Sequence, residues 1–262
     1  MDKQFITTGD GCRIAYRLDG EPDAPVLMLS NSLGTDMAMW QPQMATWAQH
    51  FHVLRYDQRG HGSSDAPTGA YSMDRLGRDV IELIDALELD SVNFCGLSLG
   101  GMTGQWLGIR EPARLKRLVL ANTSSFMGPP SNWDARITMV LDQGMTPLAA
   151  ASVERWFTGN FVASVPDAIA PILAMLEATD ATGYAGCCAA IRDMDMRKTV
   201  KLVGTPTLII GGAHDPATPP VHSEALADAI ANSRLVMLEA AHLSNVEQPA
   251  AFAQEVLQHL QP

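Results

Sequence analysis

The sequence lacks the features that mark membrane proteins and nucleic-acid-binding proteins. No run of 18 apolar residues occurs along its 262 positions, so no segment is predicted to span a bilayer. Lys and Arg number only 18 against 29 Asp and Glu, and the net charge of −11 argues against nucleic acid as a partner. The first residues lack a basic start followed by an apolar stretch, so we expect no secretory signal and no membrane partner.

Cysteine is also scarce. The four cysteines are Cys12, Cys95, Cys187 and Cys188, and none has the spacing of metal ligands. The adjacent pair cannot form a disulfide bond without strain, so we expect reduced thiols in a cytoplasmic protein. We expect no metal and no cofactor, and nothing in the sequence indicates the oligomeric state.

Short apolar runs without polar alternation predict buried parallel strands. They lie at residues 26–29, 52–56, 92–95, 118–121, 207–210 and 235–238. Residues 5–16 predict an antiparallel hairpin at the sheet edge, with its turn at Asp10-Gly11. A helix is predicted from about Ser72, which can cap it, to Leu87. Strands that alternate with helices indicate an α/β fold.

The alternation is interrupted once, between about residues 124 and 200. This segment is rich in Ala and Met and has helical periodicity, but it contains no strand-like run. We therefore expect a helical cap over residues 124–199, inserted into an α/β core made of residues 1–123 and 200–262.

The sequence Gly96-Leu97-Ser98-Leu99-Gly100 follows a predicted strand and precedes a predicted helix at about 102–110. This context is typical of a nucleophile elbow, in which a strained turn exposes a serine hydroxyl. The glycines on either side leave room for that turn. The alternative is a glycine-rich turn with an incidental serine.

A serine nucleophile needs a histidine base and an acid that orients the base, in the chain order serine, acid, histidine. Asp215 and His242 follow two predicted strands and satisfy that order. Their alternatives are a helix-capping role for Asp215 and a structural role for His242. Glu239 is a second candidate acid, and His214 is a second candidate histidine.

An oxyanion hole requires two backbone N–H groups directed at the developing negative charge. Leu99, directly after the serine, is expected to provide one. Leu33, in the loop Ser30-Asn31-Ser32-Leu33-Gly34 after the strand at 26–29, is expected to provide the other. An ordinary turn is the alternative for that loop.

These motifs resemble the α/β-hydrolase superfamily, to which residues 56–64 (YDQRGHGSS) add a match with its D-x-R-G-H-G-x-S loop. The loop after the first parallel strand, the elbow, residues 120–123 and residues 183–195 are similar to the 3-oxoadipate enol-lactonases, which hydrolyse a lactone of the β-ketoadipate pathway. The resemblance implies an eight-stranded, mostly parallel sheet with helices on both faces and a helical cap. It also implies a small anionic lactone as substrate.

The acetate arm of that lactone calls for a donor near the pocket. Trp133, Arg136 and Arg192 in the cap segment are the candidates for binding it. The alternative places Trp133 in the cap core and both arginines in solvent. A general carboxylesterase or a cofactor-free perhydrolase is the rival enzyme, and a non-catalytic ligand-binding protein is the rival from another class.

Overall fold

The computed structural model describes residues 3–261, and its centre is a sheet of eight strands. The strands are β1 (Gln4–Thr7), β2 (Arg13–Asp19), β3 (Val26–Ser30), β4 (His52–Tyr56), β5 (Val92–Leu97), β6 (Leu115–Ala121), β7 (Thr207–Gly212) and β8 (Ser233–Leu238). Their order in space is β1-β2-β4-β3-β5-β6-β7-β8. β2 pairs antiparallel with both β1 and β4, and all other neighbours are parallel. The predicted edge hairpin and mostly parallel sheet are confirmed.

Helices cover the sheet on both faces. In chain order they are α1 (Gln41–Trp47), α2 (Met73–Ala86), α3 (Leu99–Arg110), α4 (Pro130–Gln143), α5 (Thr146–Trp156), α6 (Gly159–Ser164), α7 (Pro166–Ala178), α8 (Ala181–Asp193), α9 (Pro220–Ala229), α10 (Ser244–Glu247) and α11 (Pro249–Leu260). Both β5 and β7 are buried at every residue, and successive residues point to opposite faces. The unalternating apolar runs therefore reflect strands covered on both sides.

The start of α2 illustrates how local sequence sets an element. The Ser72 hydroxyl accepts a 3.1 Å hydrogen bond from the backbone N–H of Arg75 and caps the helix. Leu76, Val80 and Leu83 recur at helical spacing and are buried. The helix ends at Ala86, one residue before the predicted end, and packs against α3.

Between residues 122 and 206 the structure contains five α-helices, α4 to α8, a short 3-10 helix at Val200–Leu202, and no strand. Helix α4 packs against α8, and α5 packs against α7. The helical character expected for this part of the sequence is therefore present in the fold.

Several strands extend beyond their predicted ends because pairing continues through glycines that an apolar pattern does not mark. Gly96 of β5 still pairs with Leu120, and Gly212 of β7 still pairs with Leu238. Because neighbouring strands from β3 to β8 are parallel, their carboxyl ends lie at one edge of the sheet. Open α/β sheets place their ligands at this edge.

Candidate active site

Ser98 occupies a strained turn between β5 and α3. Its backbone has φ 57° and ψ −114°, a left-handed φ that non-glycine residues rarely adopt. A Cβ on Gly96 would overlap the Gly100 carbonyl, and a Cβ on Gly100 would overlap the Ser30 carbonyl. Both positions therefore require glycine. Helix α3 begins at Leu99, directly after the serine and three residues earlier than predicted.

Three side chains form a continuous hydrogen-bonded chain at this edge. Nε2 of His242 lies 2.9 Å from Oγ of Ser98, and Nδ1 of His242 lies 2.8 Å from Oδ2 of Asp215. Asp215 follows β7 and His242 follows β8, so strands that are distant in sequence bring them to the serine. All three residues are at least 92% buried. The arrangement has the geometry of a nucleophile, a base and an orienting acid.

Asp215 is held as a carboxylate by several donors. Oδ2 also accepts hydrogen bonds from Nδ2 of Asn122 (3.0 Å) and Oγ1 of Thr218 (2.7 Å). Oδ1 accepts from the backbone N–H groups of Ala217 (2.8 Å) and Thr218 (3.0 Å). Burial alone would raise the pKa of Asp215, but the His242 ring and these donors lower it to about 2. The carboxylate is therefore charged and fixed in direction.

The alternative acid and the alternative histidine pair with each other instead. Nε2 of His214 lies 3.1 Å from Oε2 of Glu239, and their side chains are 56% and 82% exposed. Asp215 makes no capping hydrogen bond to α9, whose N-cap is Pro219. The geometry thus gives neither Glu239 nor His214 a place beside Ser98.

Two backbone N–H groups flank Ser98 without a protein acceptor. Within residues 3–261, neither the N–H of Leu33 nor that of Leu99 donates a hydrogen bond. The next N–H along α3, that of Gly100, donates 3.0 Å to the Asn31 carbonyl and fixes the loop against the elbow. Two unpaired donors beside a serine hydroxyl are what an oxyanion hole needs.

A cavity of about 270 Å³ opens at Ser98 and His242. Its wall includes Leu33 from the core and Trp133, Arg136 and Arg155 from the helical segment. The side chain of Trp133 lines the cavity, and its Nε1 donates a 2.5 Å hydrogen bond to the Met127 carbonyl. The N–H group that the sequence suggested as a donor to substrate is therefore already engaged within the protein.

Arg136 and Arg155 line this cavity without an acidic partner among residues 3–261. The guanidinium of Arg136 lies 4.9 Å from the centre of the Trp133 ring. Burial and the nearby charge of Arg136 lower the pKa of Arg155 below its ordinary value. Two cations that repel each other in one half-buried cavity create a site for an anion.

Arg192 lies outside this cavity. Its guanidinium donates to Asp134 (2.9 Å) and Asp193 (2.7 Å) on the surface of the helical segment. These two carboxylates satisfy its charge and hold it away from Ser98. The expectation that Arg192 binds substrate therefore has no support in the geometry, and we do not retain it.

Sequence reasoning missed Arg155, Asn122 and Thr218. Arg155 lies in the last turn of an Ala-rich helix, and no local pattern distinguishes it from a solvated arginine. Asn122 reaches Asp215 through the pairing of β6 beside β7, whereas Thr218 lies three residues after Asp215 in the same loop. The sequence marks them only by position, because each lies in a loop that follows a strand at the edge of the sheet where Ser98 lies.

The described residues contain no group of three or more His, Cys, Asp or Glu side chains placed to hold a metal ion. In the same part of the chain, no helix has the length and apolarity required to cross a membrane.

Comparisons with known proteins place the chain in a known family. A family model described as alpha/beta hydrolase fold matches residues 25–249. The chain is 42% identical over 250 residues to 3-oxoadipate enol-lactonase 2 of Acinetobacter baylyi, covering 95% of this chain and 93% of that protein.

Two solved structures of hydrolases are also similar to this chain. The enol-lactonase from Burkholderia xenovorans superposes with a TM-score of 0.96 at 42% identity, covering 98% of this chain and 99% of that one. A hydrolase from Pseudomonas aeruginosa superposes with a TM-score of 0.97 at 48% identity, covering 100% and 99%.

Proposed function

Because this chain belongs to the alpha/beta hydrolase fold family, we propose that it hydrolyses 3-oxoadipate enol-lactone to 3-oxoadipate through a serine acyl-enzyme. One observation carries the proposal. The hydrogen-bonded chain Asp215–His242–Ser98 opens into a cavity that is also lined by Arg136 and Arg155, which have no carboxylate partner among residues 3–261. A nucleophile therefore faces a site suited to an ester that bears a negative charge.

The first half-reaction forms the acyl-enzyme. Oγ of Ser98 attacks the lactone carbonyl while Nε2 of His242 takes its proton. The N–H groups of Leu33 and Leu99 donate to the resulting oxyanion. The ring C–O bond then breaks, and His242 returns the proton to the departing enol oxygen. The enol tautomerises to a ketone, which makes it a good leaving group.

The second half-reaction releases the acid. His242 removes a proton from a water molecule, which attacks the acyl carbon. The bond between that carbon and Oγ of Ser98 then breaks, and His242 gives the proton to Oγ, which regenerates the hydroxyl. Asp215 keeps Nδ1 of His242 protonated and stabilises the imidazolium that forms in each step. In both half-reactions, side chains and backbone groups of this chain supply every proton transfer and every contact with the developing charge.

Arg136 and Arg155 are proposed to bind the acetate arm of the lactone. Arginine forms two parallel hydrogen bonds to a carboxylate, and two guanidinium groups offset the repulsion that a chain of net charge −11 exerts on an anion. The ring of Trp133 supplies an apolar wall beside them. A neutral ester needs neither arginine, so this pair is expected to set the preference for the anionic lactone.

We also propose that residues 124–199 act as a cap on a core made of residues 1–123 and 200–262. The cavity wall combines the two, since Ser98 and His242 come from the core and Trp133 comes from α4. The cap would thus provide the substrate contacts, while the core provides the chemistry.

A cytoplasmic location and a role in aromatic catabolism complete the proposal. The four cysteines are free and buried, which suits a reducing compartment.

The test compares kcat/KM for the enol-lactone, for p-nitrophenyl acetate and for peracid formation from acetate and hydrogen peroxide. We expect the lactone to exceed the neutral ester by at least about 100-fold, since charge-assisted hydrogen bonds contribute about 1.5–3 kcal/mol each. Ser98→Ala should abolish all three activities while the protein remains folded. A higher kcat/KM for the neutral ester would instead identify a general carboxylesterase.

A further inference from the structure

The segment that follows β4 has no part in the mechanism above, yet it contains a fully buried histidine. His61 is 1% exposed, and its Nε2 accepts a 2.9 Å hydrogen bond from the backbone N–H of Gly34. Its Nδ1 lies 3.2 Å from the carbonyl oxygen of Arg59, which can only accept. The proton of the neutral ring therefore sits on Nδ1, and Nε2 is left free to accept.

His61 thus contacts the loop that carries the Leu33 N–H. The loop has three consecutive backbone N–H groups, and the outer two are occupied. Ser32 donates to Sδ of Met39 (3.3 Å), and Gly34 donates to His61. Between them, the N–H of Leu33 has no acceptor within residues 3–261, and Leu33 lines the cavity.

We propose that His61 is a positioning residue for the oxyanion hole, because it fixes the Leu33–Gly34 peptide and thereby the direction of the Leu33 N–H. This inference rests on the proposed function, since an oxyanion forms only if Ser98 attacks a carbonyl. The peptide between Leu33 and Gly34 is planar, so the hydrogen bond from its N–H to His61 fixes the chain on the carboxyl side of Leu33. The preceding peptide, which carries the Leu33 N–H itself, is held at the Ser32 carbonyl by the N–H (3.2 Å) and Oγ1 (2.9 Å) of Thr35. With both flanking peptides held, the Leu33 N–H keeps one direction. Gly34 has φ 81°, a left-handed conformation that residues with a side chain rarely adopt, so the loop turns sharply at the residue that His61 holds.

The surroundings of His61 make this contact hard to replace. Gly34 is buried, so no bulk water reaches its N–H if the histidine is lost. Burial lowers the pKa of His61 to about 4, which keeps Nε2 unprotonated at neutral pH. The same segment also contacts the loop through Gln58, whose Nε2 donates to the Ser32 carbonyl at 3.4 Å. Asp57 of this segment also accepts a 2.8 Å hydrogen bond from the N–H of Met37, which lies three residues beyond the loop.

The experiment compares His61→Asn with His61→Gln, using p-nitrophenyl acetate as substrate. The glutamine amide reaches the former Nε2 position and can accept from Gly34, whereas the asparagine amide reaches only the former Nδ1 position. Rates are expressed per active site, titrated with a serine-directed phosphonate, so that misfolded protein does not count. Affinity for a trifluoromethyl ketone, which forms an oxyanion on Ser98, reports on the hole directly.

We expect kcat of His61→Asn to fall about 10-fold or more, because losing one oxyanion donor outright costs about 100- to 1,000-fold. KM should stay within about twofold, and ketone affinity should fall in parallel with kcat. His61→Gln should recover most of both. A variant His61→Asn with wild-type kcat and ketone affinity per active site would overturn the proposal.

A measurement on the unmodified protein keeps the proposal falsifiable even if both variants misfold. Long-range ¹H–¹⁵N correlation spectra should show His61 as the Nδ1-protonated tautomer, and the Nε2-protonated form would exclude acceptance from Gly34. Wild-type protein without esterase or lactonase activity would remove the proposed function and the role of His61 together. Wild-type activity with an unaffected His61→Asn variant would remove the role of His61 alone.

Discussion

The backbone N–H of Leu243 donates a 3.1 Å hydrogen bond to the carbonyl oxygen of Trp156. This bond joins the residue after His242 to a residue that lines the cavity from the helical segment. On the other side of the histidine, the N–H of Ala241 donates to Oε2 of Glu247 at 2.8 Å. Glu247 in turn accepts hydrogen bonds from the hydroxyl and the N–H of Thr158. The loop that holds the histidine is therefore fixed from both sides.

Glu247→Ala should reduce both stability and turnover. The change leaves the buried N–H of Ala241 without an acceptor, which costs about 1–3 kcal/mol, and removes the hydrogen bonds from the partly buried donors of Thr158. We expect the free energy of unfolding, measured by urea titration, to fall by about 2–4 kcal/mol, and kcat to fall because His242 loses a tether. Glu239→Ala is the control, since Glu239 is a largely exposed glutamate at the start of the same loop. Equal urea midpoints for the two variants would contradict the tethering role.

Asp215→Asn should lower kcat by about 10⁴-fold with little change in KM, because an amide at this position favours the wrong histidine tautomer. Glu239→Gln is the matched control and should leave kcat unchanged. Steady-state kinetics on the lactone, with circular dichroism to verify folding, decide between them. If Glu239→Gln loses activity while Asp215→Asn keeps it, Glu239 rather than Asp215 is the acid that orients His242.

The sheet and the serine–histidine–aspartate geometry were accessible from sequence because their signals are local. Unalternating apolar runs mark covered strands, and the glycines around Ser98 mark a turn that tolerates no Cβ. The loops with Asp215 and His242 each follow such a run, so parallel pairing alone brings them to one edge.

The cavity wall could not be predicted in the same way. Arg136, Arg155 and Arg192 look alike in the sequence, and only the packing of the helical segment separates them. Arg192 meets two carboxylates at the surface, whereas Arg136 and Arg155 meet none in the part of the chain that the structure describes. Whether a charge is paired depends on residues far away in the chain, and no local pattern encodes that.

Acidification should destabilise the protein through His61. The pKa of this ring is lowered from 6.5 to about 4 by burial, so the unfolded state binds a proton at a higher pH than the folded state does. His61 therefore contributes its full share of stability above about pH 6.5, and that share is lost as the pH falls towards 4. The loss is about 1.4 kcal/mol per pH unit across this window.

The prediction is measured as the free energy of unfolding between pH 7 and pH 4 in wild type and His61→Gln. Other partly buried histidines, such as His222 and His259, also have lowered pKa values and contribute to both curves. The difference between the curves isolates His61, and the wild type should lose roughly 3 kcal/mol more than the variant. Parallel curves would mean that His61 binds its proton equally in both states.

Arg155→Met should weaken the enzyme for anionic substrates only. The change keeps an unbranched side chain of similar length but removes one of two guanidinium groups that face Ser98 without an acidic partner. Loss of a charge-assisted hydrogen bond should raise KM for the lactone by about 10- to 100-fold. KM for p-nitrophenyl acetate, which carries no carboxylate, should stay within about twofold.

Arg136→Ala should behave in the same manner, and Arg192→Met provides the matched control. Arg192 is an arginine of the same helical segment, but its charge is satisfied by Asp134 and Asp193 at the surface. Its loss should leave both KM values unchanged. If Arg155→Met and Arg136→Ala raise KM for both substrates equally, the two arginines shape the cavity rather than bind the carboxylate. If Arg192→Met alone raises KM for the lactone, the substrate carboxylate binds near Arg192, outside the cavity that contains Ser98.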